Sequence, residues 1–442
     1  MDGDNMNNSI PEEFMKRMKT QLDASFSAFE AEYEKAAVRG LRVNPLKPSG
    51  LLQEKTRALE PIPWEPNGYY LDEDDEAGKT VLHEAGAFYL QEPSAMIPAA
   101  ILSARPGERI LDLCASPGGK STQIGAALQG EGLVVCNEIV PKRAQILSRN
   151  IERMGIRNAV VTCETPERLA DRFEGCFDAV LADAPCSGEG MFRRDPETAG
   201  EWSPEKAEGC AARQAEILRQ AARMIRPGGR LVYSTCTFHP AENEENVEKF
   251  LRGNPDFEAE AFSIAGMRER RGYRTFYPHE IRGEGQFAAL LRKKEGREGK
   301  PFPKKTLPSL SREERQILET LYPEEDFREA GKWGSLIILQ KEEPDLDGLR
   351  VLRNGLHLAD LRERHPVPDH AAAMSGPMIR AANTDLTYEQ AAAFLRGETV
   401  EGDGKGWMLV RYGGLAIGWG KAGQGMIKNH YPKGLRRNYL LA

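Results

Sequence analysis

Leu111-Asp112-Leu113-Cys114-Ala115-Ser116-Pro117-Gly118-Gly119-Lys120-Ser121 runs from an apolar segment through a tight glycine turn into a helix-forming segment. Glycines at such a turn let the backbone approach a ligand closely, and the start of a helix offers unpaired N–H groups. Working outward, residues 110–114, 133–138, 159–163, 180–183 and 231–235 read as buried strands, with 286–291 as a late one. Helical stretches such as 142–154 and 205–225 separate them and are long enough for crossovers. This alternation predicts an open, doubly wound α/β sheet whose ligand crevice lies at the carboxyl ends of the strands.

The loop is neither GxxxxGK[ST] nor GxGxxG, so a phosphate cradle is not indicated. Glu138, about twenty residues on at the end of the next strand, suits the hydroxyls of an adenosine ribose; the alternative is an exposed glutamate capping a helix. A nucleoside ligand without a phosphate site points to S-adenosyl-L-methionine rather than ATP. Cys114 reads as a packed strand-end residue.

Two further strand ends carry thiols, Asp183-Ala184-Pro185-Cys186-Ser187-Gly188 and Ser234-Thr235-Cys236-Thr237. Both should converge on the crevice beside the cofactor. Thiolate addition to carbon 6 of a cytosine makes carbon 5 nucleophilic toward a sulfonium methyl, which divides one difficult step into two. A cleft with basic groups and helix N-termini lowers a cysteine pKa toward reactivity. Asp183 suits the exocyclic amine of cytosine, and Lys120 is expected in the same cleft. Cys136, Cys163, Cys176 and Cys210 read as packing residues.

The chain has 442 residues, 40% apolar and 29% charged, enough for two or three domains. No apolar run is long enough to span a bilayer, and the polar start reads as neither signal nor transit peptide. Seven cysteines without framework spacing suit a reducing cytoplasm, and without a CxxC pair or His/Cys cluster no metal site is expected. The net charge of −7 hides asymmetry. Residues 404–442 hold seven Lys/Arg and no Asp or Glu, whereas Asp72 to Glu76 are all acidic. Such a basic segment favours phosphate binding. Within it Lys433, Arg436 and Arg437 lie beside Tyr431 and Tyr439, and Trp407 and Trp419 are either stacking residues or core.

Apolar residues recur at helical spacing over residues 11–37. The divisions expected are a helical, RNA-binding N-terminal region over 1–105, the α/β domain over 106–295, a linker over 296–308, a small connecting domain over 309–370 and a β-rich RNA-binding domain over 378–442.

These residues resemble the Sun (Fmu) family of RNA cytosine carbon-5 methyltransferases, most closely its RsmF-like bacterial members, which modify ribosomal RNA. The loop at 111–121, Asp183-Ala-Pro-Cys-Ser-Gly-Glu-Gly190 and Tyr233-Ser-Thr-Cys-Thr237 carry the likeness, supported by Leu41-Arg-Val-Asn-Pro45, Tyr89-Leu-Gln-Glu-Pro-Ser94 and Gly285-Gln-Phe-Ala-Ala-Leu-Leu291. The resemblance implies a Rossmann-like class I methyltransferase sheet, a PUA-like tail and a ribosomal RNA substrate, the small subunit favoured. Transfer RNA, or a role as an RNA-binding assembly factor, stands as the alternative. It also implies Cys236 as nucleophile and Cys186 in release of the adduct, roles that spacing alone leaves open. Cys114, Ala115, Ser116, Pro117, Gly118, Gly119, Lys120, Glu138 and Asp183 would line the cofactor site, with Glu164 and Thr165 standing where the family often has an aspartate. Arg42 and Asn44 are expected to hold flanking RNA; the alternative for Asn44, which precedes Pro45, is a simple turn. No obligate protein partner is implied.

Overall fold

A computed structural model describes residues 10–296, 301–325, 327–362, 367–376 and 379–438. Arg109–Asp112 is the middle of a nine-stranded sheet. On one side follow Phe177–Asp183, Ile225–Thr235, Gln286–Lys293 and Tyr273–Phe276; on the other follow Leu133–Asn137, Ala159–Thr162 and Val351–Asn354; the ninth strand, Phe257–Ala259, pairs with the end of Gln286–Lys293. The five strands from Ala159–Thr162 across to Ile225–Thr235 are parallel, and the Gln286, Tyr273 and Val351 strands run antiparallel to their neighbours.

Strict alternation along these strands divides the interior in two. Ile110, Val134, Val161, Leu181 and Val232 enter one core, while Leu111, Val135, Val160, Val180 and Leu231 enter the other. Side chains on successive strand residues face opposite ways, so near-continuous apolar runs are what a sheet covered on both faces requires. The helix Pro141–Arg153 buries Ala144, Leu147 and Ile151, one stripe at three- and four-residue spacing, and Pro204–Met224 is capped by the Ser203 side chain.

The N-terminal region differs from a single helix. Glu12–Leu22 and Phe26–Glu32 are separated by a 3-10 turn at Asp23, whose φ of +46° takes it out of the helical region. A three-stranded sheet of Gly68–Leu71, Arg39–Val43 and Phe88–Leu90 follows. Its Leu41 and Phe88 share a core with Phe394, Val410 and Ile427 of a five-stranded sheet near the C-terminus, so the two ends of the chain pack as one body. Among the described residues, no helix is long and apolar enough to cross a membrane.

Residues 301–308, expected as linker, are packed. The Phe302 ring stacks on Phe173 at 5.8 Å, and the Arg109 guanidinium lies 4.6 Å from its centroid. The strand Val351–Asn354, from the segment read as a separate small domain, completes the central sheet and covers the edge of Ala159–Thr162. Arg353 on it pairs with Glu152, whose other oxygen lies 2.7 Å from His370 Nδ1. Burial, then the Arg353 charge, holds the nearby His357 imidazole down to about 3. The unfolded imidazole takes a proton below about pH 6.5 and the folded one resists it, so stability is lost as pH falls through that interval. Thermal melting followed from pH 7 to 5 should show this loss, and His357→Asn should show a shallower one.

Candidate active site

The glycine loop lies between the strand Arg109–Asp112 and the helix Gly119–Ala127. Gly118 has φ +118°, a left-handed conformation that side-chain-bearing residues rarely adopt. The helix Pro141–Arg153 fastens the loop from outside: Asn150 Nδ2 donates to the Pro117 carbonyl at 2.9 Å, and Arg143 Nη2 donates to the Ser116 carbonyl at 3.1 Å. On the inner side is a cavity of about 290 Å³. Cys114, Ala115, Ser116, Pro117, Gly119, Lys120, Asp183 and Cys236 all line it, together with Tyr89, Gln91, Asp112, Met191, Arg194 and Gln286.

The donor set suits a cationic, nucleoside-bearing ligand. Asp112 is buried in the wall with Ser121 Oγ donating to it at 2.6 Å; burial, then the Asp183 charge, pushes its carboxyl up to about 7. Burial, reinforced by Asp112, Asp183 and Glu138, raises the Cys114 thiol well above its ordinary value. Glu138 stands outside the cavity wall but adjoins the loop: the Ala115 N–H donates to the Asn137 carbonyl at 2.8 Å. Its carboxylate accepts the Val140 N–H at 2.9 Å and lies 3.4 Å from Arg143. Each carboxylate oxygen has two lone pairs, so acceptor capacity for hydroxyls is left over.

The two thiols meet. Parallel pairing places Asp183 opposite Ser234, and the chain beyond each strand end brings Cys186 Sγ to 3.3 Å from Cys236 Sγ. The hydrogen bond to Cys236, and burial, raise the Cys186 thiol well above its ordinary value. Lys120 Nζ donates to Asp183 Oδ2 at 2.8 Å, while Ser234 Oγ and Gln286 Nε2 donate to Oδ1 at 2.7 and 3.2 Å. Burial works against the Lys120 charge, but the Asp183 carboxylate outweighs it and the ammonium is held.

A buried carboxylate that local sequence reading misses clamps the two cysteine loops. Glu242 accepts the Ser187 N–H at 3.0 Å, the Ser187 hydroxyl, and Gln214 Nε2 at 2.8 Å; Ser187 Oγ is 2.8 Å from Thr237 Oγ1. Ser187 and Thr237 each follow one of the two cysteines. Behind them Glu189 accepts the Phe238 N–H at 3.0 Å and Arg17 Nη2 at 2.6 Å, which ties the N-terminal helix to the same loops. The only signal in the sequence is the run Glu242-Asn243-Glu244-Glu245-Asn246 after the strand, which reads as a helix start.

Several expected contacts fall elsewhere. Arg42 is buried and donates to Gln91, to the Gly119 carbonyl at 2.9 Å and to Thr122 at 2.8 Å; it braces the loop helix and presents no guanidinium to RNA. Asn44 is buried too, with its amide donating to the Gly86 and Met154 carbonyls at 2.9 Å each. In both cases the segment is enclosed: strand Arg39–Val43 is the middle strand of its sheet, and the side chains of Arg42 and the adjoining Asn44 hydrogen-bond into the helices that start at Gly119 and end near Met154. Glu164 and Thr165 lie outside the cavity wall. Glu164 accepts the Arg350 N–H at 2.6 Å and pairs with Arg168, and Thr165 caps the helix Pro166–Arg172. Lys433 and Arg436 are exposed, whereas Arg437 lies 3.3 Å from Glu84. Trp419 is core, its Nε1 donating to the Asp369 carbonyl. Tyr439 lies outside the described residues.

Four family models match in succession: the N-terminal domain of 16S rRNA methyltransferase RsmF over residues 10–93, 16S rRNA methyltransferase RsmB/F over 99–292, the first C-terminal domain of RsmF over 317–375 and its PUA domain over 381–437. Ribosomal RNA small subunit methyltransferase F of Vibrio vulnificus is 32% identical, the match covering 97% of this chain and 98% of that one. The chain belongs to the RsmB/F family of 16S rRNA methyltransferases. The Escherichia fergusonii relative of the same name is 33% identical, with 97% of each chain covered. A methyltransferase homolog from Pyrococcus horikoshii shares the fold at 26% identity and a TM-score of 0.56, over 65% of this chain and 97% of that one. As a family member the chain is an S-adenosyl-L-methionine-dependent rRNA cytosine carbon-5 methyltransferase that works through a covalent cysteine adduct. Because Glu242 positions both sulfurs, Glu242→Ala should lower kcat about 10²-fold with the cofactor KM nearly unchanged, in steady-state methyl-transfer assays.

Proposed function

We propose that Cys236 is the nucleophile and Cys186 the base that releases the product, in a reaction that makes 5-methylcytosine in small-subunit ribosomal RNA. The observation that carries this reading is the 3.3 Å separation of the two sulfurs beside the cavity lined by Cys236, Lys120 and Asp183. S-adenosyl-L-methionine, when bound, supplies a methyl group on an electrophilic sulfonium; the loop from Cys114 to Lys120, with Asp112, Glu138 and Asp183, would hold it.

The target cytosine must leave its stack to reach Cys236. Cys236 Sγ, as thiolate, bonds to carbon 6, and the electron pair displaced from the 5,6 double bond makes carbon 5 nucleophilic. The Lys120–Asp183 pair carries the hydrogen bonding at the ring's polar edge, with Ser234 and Gln286 fixing the carboxylate. Once carbon 5 bears the methyl group, its remaining proton must be removed. The electron pair of that C–H bond then rebuilds the double bond and expels the Cys236 thiolate.

Cys186 suits the removal for an electrostatic reason. Its hydrogen bond to Cys236 is the largest cause of its raised pKa. A thioether accepts a hydrogen bond only weakly, so once Cys236 is bonded to carbon 6 this contact no longer holds the Cys186 proton, while burial still raises the thiol. Before that stage the same hydrogen bond, donated by Cys186, stabilises negative charge on the Cys236 sulfur.

Lys433 and Arg436, both exposed, are assigned to the RNA backbone. One chain supplies the loop, both thiols and their clamp, so no protein partner is required. All seven cysteines are free, which suits a reducing cytoplasm.

Cys236→Ala should abolish methyl transfer while S-adenosyl-L-methionine affinity, measured calorimetrically, stays within about twofold. Retained transfer would overturn the assignment. Cys186→Ala should accumulate a protein–RNA adduct that survives denaturing electrophoresis, and free protein alone would remove the release role. Bisulfite mapping of small-subunit RNA from cells with and without the chain identifies the nucleotide.

A further inference from the structure

Among the described residues, two basic side chains line the cavity, Lys120 and Arg194. Lys120 is paired with Asp183 at 2.8 Å. The Arg194 residue is exposed, and among the described residues its guanidinium has no hydrogen-bond or ion-pair partner. Asp195 and Glu197, exposed on the same segment, form no ion pair with it. Other carboxylates of the wall are committed: Glu92 accepts from the Ser94 hydroxyl at 2.6 Å and from the Glu284 N–H at 2.8 Å, and Asp112 accepts from Ser121. An uncommitted positive charge is left at the edge of a site whose substrate is a polyanion.

The backbone of Cys236 fixes where that charge stands. The Gly190 N–H donates to the Cys236 carbonyl at 2.8 Å. A side chain on Gly190 would meet the carbonyl oxygens of Cys236, Glu284 and Gly285 at 3.1 Å each, so the segment lies directly against them. A turn follows, in which the Arg194 and Asp195 N–H groups donate to the Met191 carbonyl at 2.9 and 2.7 Å. Arg193 anchors this turn: it pairs with Glu284 at 2.8 Å and donates to the Glu32 and Gly283 carbonyls at 2.6 and 3.1 Å. Of two adjacent arginines, one holds the turn and the other is left free at the cavity.

A nucleoside bonded to Cys236 within an RNA chain carries a phosphate on each side of its ribose. The planar fork of a guanidinium matches phosphate oxygens in pairs. We propose that Arg194 binds a phosphate flanking the target cytidine and thereby sets the ring against Cys236. The carboxylate of the cofactor is the other anion in the reaction. Arg194 is exposed and its segment hangs on the carbonyl of Cys236, where the polynucleotide has to pass, and this favours the phosphate. The assignment rests on the reading of Cys236 as nucleophile and adds to it the contact that positions the substrate backbone.

The test measures methyl transfer to small-subunit RNA by the full-length chain and by its Arg194→Gln and Arg194→Lys variants. Loss of one charge-assisted contact should lower kcat/KM for the RNA about 10- to 100-fold in Arg194→Gln, with KM for S-adenosyl-L-methionine within about twofold. Arg194→Lys keeps the charge without the fork and should recover part of that loss. The slope of log RNA affinity against log salt, over about 50 to 200 mM, should fall by about 0.7 in Arg194→Gln and hold in Arg194→Lys. An unchanged kcat/KM with an unchanged slope would overturn the proposal. So would a raised cofactor KM with RNA affinity intact, which would put the carboxylate on Arg194 instead. If Cys236→Ala still transferred methyl while Arg194→Gln lost RNA affinity, the nucleophile reading alone would fail.

Discussion

Parallel pairing of Phe177–Asp183 with Ile225–Thr235, in the register that sets Asp183 opposite Ser234, is the constraint from which the site follows. It brings two strand ends side by side, so the segments leaving them travel together and their thiols meet at 3.3 Å. A slip of one residue would turn every side chain to the opposite face, exchanging the two cores and carrying Asp183 away from Lys120. Register alone does not hold a loop, however. The Glu242 carboxylate does that, accepting from Ser187 and Gln214 while Ser187 reaches Thr237. Burial raises the Glu242 carboxyl, and the donated hydrogen bonds work against that rise.

The ends of the chain act as braces for this arrangement. Arg17 reaches Glu189 behind the cysteine loops, and Arg42 grips the first turn of the helix that starts at Gly119. Burial lowers the Arg42 guanidinium to about 10, which still leaves it charged at neutral pH, and its four acceptors satisfy it inside the protein. Lys47 is also buried, donating to the Ala85 and Arg153 carbonyls at 2.8 Å, and burial, then the Arg153 charge, lowers its ammonium well below the ordinary lysine range. Polar residues near the start of the chain therefore serve the cavity from behind. The C-terminal sheet shares its apolar face with the N-terminal region and turns a lysine row outward.

The strands, the glycine loop and the two thiols were legible because each depends on local properties: alternation of apolar residues, conformational demands of a turn, and residues that end a buried strand. The same reading placed Arg42 and Asn44 on the RNA, because a short polar stretch looks alike whether it faces solvent or the back of another element. It left residues 301–308 as linker because proline and lysine mark a loop without saying what the loop lies on, here Phe173 and Arg109. Glu242 and Gln286 were illegible for a stricter reason. Their partners stand 28 to 103 residues away, and a hydrogen bond across that distance leaves no trace in spacing.

By itself the sequence determined the sheet, the glycine loop that lines the cavity and the presence of two thiols at strand ends, since period-two burial and glycine turns are written residue by residue. Only the tertiary structure decided which polar groups meet. It put Asp183 on Lys120, Glu242 between the cysteine loops, and Arg42 inside rather than outside. Those choices depend on how separate elements pack, and packing is a property of surfaces that the chain brings together only when folded.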